Sequence, residues 1–379
     1  MFIDSKLPAV GTTIFTVMSR LAAECGAINL SQGFPDFHCD PALIDAVSRH
    51  MREGRNQYAP MQGVPALREA ISRKFRDSYG VEYDPESEIT VTSGGTEALF
   101  DAIAATVRPG DEVIVVEPCY DCYVPAIRLN GGVPVVARMR LSDFSIDWDD
   151  VRAAVGPKTR LLILNSPHNP SGSVLTVEDV GELERLVERS GLLILSDEVY
   201  EHIIFDGTRH ESMARHPALA SRSFIVGSFG KTFHTTGWKV GYCVAPALLS
   251  SEFRKVHQFV TFATSTPVQH ALAEFTRCET LAALSPFYQA KRDRFLELMA
   301  GSKFAPLPCR GSYFQLMDYS ALSDEDDETF AVRLTKAHGV ASIPLTPFLY
   351  RQKAPRIVRF CFAKKDETLV AAAERLTKL

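Results

Sequence analysis

The chain has 379 residues, 46% of them hydrophobic and 23% charged, which is ample material for about two domains with a large core. Its 41 basic and 46 acidic residues leave a net charge of −5 with no run of Lys or Arg, which argues against a phosphate-tracking nucleic-acid surface. The longest apolar stretches, such as Val113–Val116 and Leu161–Leu164, fall far short of the ~20 residues of a membrane span. The N-terminus, MFIDSKLPAVG, shows neither a basic nor an apolar leader region, so a cytoplasmic protein with no membrane partner is expected.

In chain order, Asp40-Pro41 opens a helix, since proline suits a first helical position. Ile89–Thr92 reads as a strand, and Thr96–Val107 as a helix with Ala98, Leu99, Ala102, Ile103 and Val107 at helical spacing. A Pro109-Gly110-Asp111 turn leads to strand Glu112–Val116, helix Asp121–Leu129, a Gly131-Gly132 turn and strand Val133–Ala137. Strand Arg160–Leu164 precedes helix Val177–Glu188, for which Thr176 is the expected N-cap. Leu192–Ser196, Phe224–Gly227 and Val240–Ala245 are further strands. Buried strands separated by helices predict an α/β domain with a mostly parallel sheet.

After about residue 265 the pattern changes to helices around Thr266–Arg277 and Pro286–Ala300. Strand Ser312–Met317, an acidic helix start at Asp324–Glu328, preceded by Ser323 and read as the capping of that helix, strand Arg356–Phe362 and a closing helix follow. We expect a large domain over residues 41–280, and a smaller α+β domain built from 1–40 and 281–379.

The eight cysteines are too few for a disulfide scaffold, and Cys119-x-x-Cys122 has no second such pair. The ten histidines, His210 and His216 included, lack metal-ligand spacing, so no metal site is expected.

The densest chemical signal is Ser228-Phe229-Gly230-Lys231-Thr232, directly after an apolar strand. A Walker loop would need glycine where Ile225 stands, so a nucleotide loop is excluded. A lysine at the end of a buried strand can instead be desolvated into a nucleophilic amine, with Lys239 as a second positive charge. Ser196-Asp197-Glu198-Val199-Tyr200 puts carboxylates at a strand's carboxyl end, where open α/β sheets bind ligands; a buried Asp there needs a cationic partner or simply caps the next helix. Ser93-Gly94-Gly95-Thr96-Glu97 is a strand-to-helix junction with free N–H groups suited to phosphate. Arg359 lies inside an apolar strand and needs an anion, either an internal carboxylate or a substrate.

Together these segments resemble the fold-type I pyridoxal-phosphate-dependent aminotransferases. The motifs Ser31-Gln-Gly-Phe-Pro-Asp36, Asn165-Ser-Pro-His-Asn-Pro-Ser-Gly172, Ser196-Asp-Glu-Val-Tyr200 and Ser228-Phe-Gly-Lys-Thr232 occur in the family's order along nearly the whole chain. Gln32-Gly-Phe-Pro-Asp-Phe37, Glu117-Pro-Cys-Tyr-Asp-Cys-Tyr123 and Arg359-Phe-Cys-Phe362 are similar to the branch of kynurenine and bacterial methionine aminotransferases.

The resemblance implies a seven-stranded, mostly parallel sheet flanked by helices and pyridoxal 5'-phosphate as cofactor. Lys231 would be the Schiff-base lysine and the proton carrier, and Asp197 would keep the pyridine nitrogen protonated. Tyr200 and Asn169 would bond the ring's 3-oxygen, and Tyr120 would stack on its face. Gly95, Thr96, Ser228 and Lys239 would hold the phosphate, Lys239 replacing the Arg of many members. Tyr58, in Asn56-Gln-Tyr-Ala-Pro60, would reach the phosphate of a second subunit, which implies a homodimer with shared sites. Arg359 would clamp the substrate carboxylate, with Gly33 approaching the same group. Phe15, Phe262 and Phe348 match the branch's side-chain pocket, or are plain core. No second arginine is placed for a dicarboxylate, so the expected donors are methionine, aromatic residues, leucine, glutamine or kynurenine. Ping-pong transamination to a 2-oxo acid is the leading expectation; carbon–sulfur β-elimination, as in cystathionine lyases, would use the same residues.

Overall fold

The computed structural model describes residues 4–379. The first strand, β1 (Ile28–Asn29), follows helix Ile14–Glu24 and pairs in parallel with a strand more than 300 residues later. The next seven build one sheet: β2 (Ile89–Thr92), β3 (Glu112–Glu117), β4 (Val133–Arg138), β5 (Thr159–Asn165), β6 (Leu193–Asp197), β7 (Ser223–Ser228) and β8 (Gly241–Val244). Their order across the sheet is β2-β8-β7-β6-β5-β3-β4. From β4 to β7 every pairing is parallel, and β8 alone runs against its neighbours β7 and β2. The expected α/β architecture with a seven-stranded, mostly parallel sheet is the one observed.

Side chains alternate across this sheet, so each strand feeds two cores. Val113, Val115, Leu161, Ile163, Leu195 and Val226 pack on one face, under helices Gly95–Thr106, Tyr123–Leu129 and Ala247–Val260. Ile114, Val116, Leu162, Leu164, Ile194 and Ile225 point into the other core. Apolar residues on both faces are why these strands read as continuous hydrophobic runs.

The later strands form a second, antiparallel sheet: β9 (Ala305–Pro306), β10 (Phe314–Asp318), β12 (Ile343–Pro344) and β13 (Ile357–Cys361), in the order β12-β13-β10-β9. Between β10 and β12, β11 (Val340–Ala341) is the partner of β1 and draws the N-terminal segment to this sheet.

Helix boundaries follow their caps. Thr176 accepts from the Asp179 N–H while Asp179 bonds back to the Thr176 N–H, a reciprocal cap on helix Val177–Ser190. Asp40 caps helix Pro41–Arg52 as expected. The acidic run caps its helix as expected: Asp326, just before helix Asp327–His338, takes the Thr329 N–H on its carboxylate, while Ser323 bonds Glu325 in the preceding loop.

Candidate active site

The carboxyl ends of β5, β6 and β7 lie side by side, because Asn165 is in register with Asp197, and Asp197 with Val226. Chain motifs separated by dozens of residues therefore open onto a single cavity of about 250 Å³. Phe15, Gly33, Gly95, Thr96, Tyr120 and Asn169 line it, together with Asp197, Tyr200, Ser228, Lys231, Lys239 and Arg359. Phe348 is wholly buried behind this wall, its ring 5.9 Å from Phe15 and 5.7 Å from the Arg359 guanidinium. Tyr58 and Phe262 do not line this chain's cavity; they pack edge-to-face at 5.7 Å on the surface, Tyr58 being 86% exposed.

At one end of the cavity, β2 runs through Ser93 into a turn at Gly94, whose φ of +88° favours glycine, and helix Gly95–Thr106 begins. The first N–H groups of an α-helix have no partner within it, and Gly94, Gly95 and Thr96 line the cavity here. Lys239 brings its Nζ to this turn, within 3.5 Å of where a Gly94 Cβ would lie, and Ser228 stands across from it. Free N–H groups, a hydroxyl and an ammonium converge as a phosphate requires.

Asp197 is buried at the cavity floor and accepts from Tyr123 Oη at 2.6 Å. Burial drives its pKa up to about 6, against the opposing effects of Tyr123, the Val199 N–H and the Lys231 charge. A cation seated over this carboxylate would relieve that cost, and a protonated pyridine nitrogen is one. Lys231 follows β7 in a single helical turn, Phe229–Thr232. Its Nζ donates to Tyr313 Oη at 2.9 Å, and Tyr313 donates onward to the Gly33 carbonyl at 2.6 Å. Burial above all lowers the Lys231 pKa to about 8; Arg359 and Lys239 add to the fall, and Cys361 and Asp197 oppose it.

Arg359, on β13, is completely buried. Its Nη1 donates to Asn169 Oδ1 at 2.6 Å, its Nη2 to the Ser31 carbonyl at 2.9 Å, and the guanidinium lies 3.8 Å over the Phe314 ring. Nε has no partner, and among the described residues no carboxylate forms an ion pair with it. No internal Asp or Glu therefore bonds this arginine, and Asp121 acts on it only through its charge. Gly33 lies against Phe314, where a Cβ would come within 2.6 Å of that ring, so any larger residue displaces the surface on which Arg359 rests.

Three residues missed by the sequence reading belong to this site. Tyr313 binds Lys231, Tyr123 binds Asp197, and Gln32 lines the wall. Tyr123 and Gln32 lie inside motifs already singled out, while Tyr313 sits in an ordinary strand entry, Gly311-Ser312-Tyr313-Phe314, with no signal of its own. Cys119 and Cys122 are both free thiols, as are the other six cysteines. His210 and His216 bond Glu198 and Glu211 through Nε2.

The profile of the aminotransferase class I and II family matches residues 26–376. The chain belongs to this family of pyridoxal-phosphate-dependent enzymes, and it is an aminotransferase. It is 52% identical to the methionine aminotransferase of Escherichia coli K12, over 99% of this chain and 98% of that one. It is 35% identical to kynurenine–oxoglutarate transaminase 3 of Rattus norvegicus, over 97% of this chain and 88% of that one. A crystal structure of an Escherichia coli protein with a methionine aminotransferase function superposes with a TM-score of 0.98, at 51% identity and with all of both chains covered. The resemblance read from the motifs thus holds along the whole chain.

Proposed function

We propose that this aminotransferase takes its amino group from methionine or another amino acid with a large apolar or sulfur-containing side chain. Two observations support the side-chain class: Phe15 in the cavity wall backed by Phe348, and 52% identity to a methionine aminotransferase. No second arginine lines the cavity, which disfavours a dicarboxylate donor. Transamination is preferred over β-elimination because the relatives named above are aminotransferases.

Pyridoxal phosphate, when bound, supplies the electron sink that stabilises the carbanion left after Cα deprotonation. The remaining work falls to this chain's residues. We assign Lys231 as the lysine that would hold the cofactor aldehyde and, as a free amine, would carry the proton from substrate Cα. Its lowered pKa leaves a usable fraction of neutral amine near neutral pH. Asp197 keeps the pyridine nitrogen protonated, and Tyr123 orients Asp197. Tyr200 and Asn169, which line the cavity, would hold the ring's 3-oxygen, and Tyr120 would cover the ring. Gly95, Thr96, Ser228 and Lys239 take the phosphate.

Arg359 clamps the substrate carboxylate, and its burial without a counter-ion is the observation that carries the assignment. An uncompensated guanidinium in a closed apolar strand is costly, and an incoming carboxylate removes that cost. We place Tyr58 and Phe262 in the site of a second copy of the chain, because two large aromatics left exposed on one face suit an interface. Residues 1–40 and 281–379 are assigned to the smaller domain, a division supported by the β1–β11 pairing and by a second sheet that lies wholly beyond residue 304. Steady-state rates for a series of amino donors test the substrate class; aspartate outperforming methionine would overturn it.

A further inference from the structure

Beneath the phosphate turn lies a buried ionic cluster with no part in the mechanism above. Helix Gly95–Thr106 presents Glu97 and Asp101, one turn apart, to His257 of helix Ala247–Val260. His257 is fully buried. Its Nδ1 lies 2.7 Å from Glu97 Oε1 and 3.5 Å from Asp101 Oδ2, and its Nε2 lies 3.0 Å from the Met61 carbonyl. The other oxygen of Glu97 accepts the Ser93 N–H, the first N–H of the phosphate turn.

Hydrogen-bond chemistry fixes the protons. A carbonyl only accepts, so Nε2 carries a hydrogen. Nδ1 meets carboxylate oxygens on its side and also needs a proton between itself and Glu97. Neither oxygen of Asp101 has a hydrogen-bond donor, so His257 is the charge that faces it. A metal ion does not account for the group: ligands bound at ~2.0–2.2 Å around a tetrahedral ion stand more than ~3 Å apart, beyond the 2.7 Å seen here. Burial opposes a charged imidazole, but the bonds and charges of Asp101 and Glu97 outweigh it and raise the His257 pKa to about 9. The ring of Phe253 stacks on the remaining side at 6.3 Å and brings no charge.

With His257 neutral, two carboxylates would lie directly under N–H groups that must receive a doubly negative phosphate. We propose that His257 is a standing imidazolium, a positioning residue that neutralises Glu97 under the phosphate turn and ties that turn to the Met61 segment. The proposal rests on the assignment of the Ser93–Thr96 turn to the cofactor's phosphate.

Two variants and one spectrum test it on the full chain stripped of cofactor. Pyridoxal phosphate and pyridoxal are titrated by absorbance, so that the ratio of their affinities reports the phosphate alone. His257→Gln should weaken pyridoxal phosphate about tenfold, as expected for a lost charge near a dianion, with pyridoxal changed less than about twofold. Adding Glu97→Gln should restore most of the loss, since it removes the unbalanced charge; a purely structural role predicts a further loss. An equal loss for both ligands, or a double variant weaker than the single, overturns the proposal. If His257→Gln does not fold, wild-type protein labelled with ¹⁵N-histidine decides: one histidine should remain doubly protonated at pH 8, and its absence overturns the proposal. Equal affinity of the wild type for pyridoxal and pyridoxal phosphate would instead count against the phosphate assignment itself.

Discussion

Arg359→Lys separates the carboxylate clamp from every other role of the site. Arg359 already spends one Nη1 bond on Asn169 and one Nη2 bond on Ser31, so the fork is oriented before substrate arrives and its Nε is still unpartnered. Lysine keeps the charge but loses the planar fork, so one charged hydrogen bond to the substrate is forfeited. Such a bond contributes roughly 1.5–3 kcal/mol, which corresponds to a fall of roughly 10- to 150-fold in kcat/KM. All amino and oxo acids share the carboxylate, so the loss should be uniform across side chains. The assay is the rate of the half-reaction by stopped-flow absorbance, with methionine, phenylalanine, leucine and glutamine as donors. Cofactor affinity should fall less than the half-reaction rate, because the only cofactor-facing side chain that Arg359 bonds is Asn169. A loss confined to one side-chain class, or one below about threefold for all, would refute the reasoning.

Further predictions follow from the same geometry. Lys231→Ala should lose turnover while still binding pyridoxal phosphate non-covalently, seen as the loss of the yellow band with cofactor retained through gel filtration; near-wild-type turnover would sink the assignment. Because the Lys231 pKa is lowered to about 8, the rate of cofactor capture by the cofactor-free chain should climb about tenfold per pH unit and level off near pH 8. A climb that continues to pH 10 would mean that the amine is not desolvated. Gly33→Ala places a Cβ 2.6 Å from Phe314, under the Arg359 guanidinium, and should raise KM for every donor with a small effect on cofactor binding, read from the same kinetics. Glu117, fully buried, accepts the backbone N–H groups of Tyr350, Arg351 and Gln352; Glu117→Ala should cost about 3 kcal/mol or more in chemical denaturation by leaving these donors unpaired.

Much of this site was legible in the sequence because its parts sit where strands end. Lys231, Asp197 and Asn165 each follow an apolar run, and parallel register alone brings them to one edge. Gly94 and Gly95 were legible for a similar reason: a glycine pair between a strand and a helical pattern marks an anion-binding turn. Tyr313 was not, since a tyrosine entering a strand is ordinary core until the chain crossing places its hydroxyl on Lys231. The helices Pro65–Tyr79 and Ala247–Val260 were passed over as well. Both carry buried polar residues on their inner faces, among them Lys74, which bonds Glu201, and His257, whose partners only the fold reveals.

The most direct test of the central claim is the visible absorbance of the purified protein before and after L-methionine is added alone. The account predicts a yellow band that bleaches with methionine and returns on addition of a 2-oxo acid, with cofactor, half-reaction and donor reported in one cuvette. A band that methionine leaves unchanged would contradict the proposed donor. No band, even after incubation with pyridoxal phosphate, would contradict the assignment of Lys231 and of the site around it.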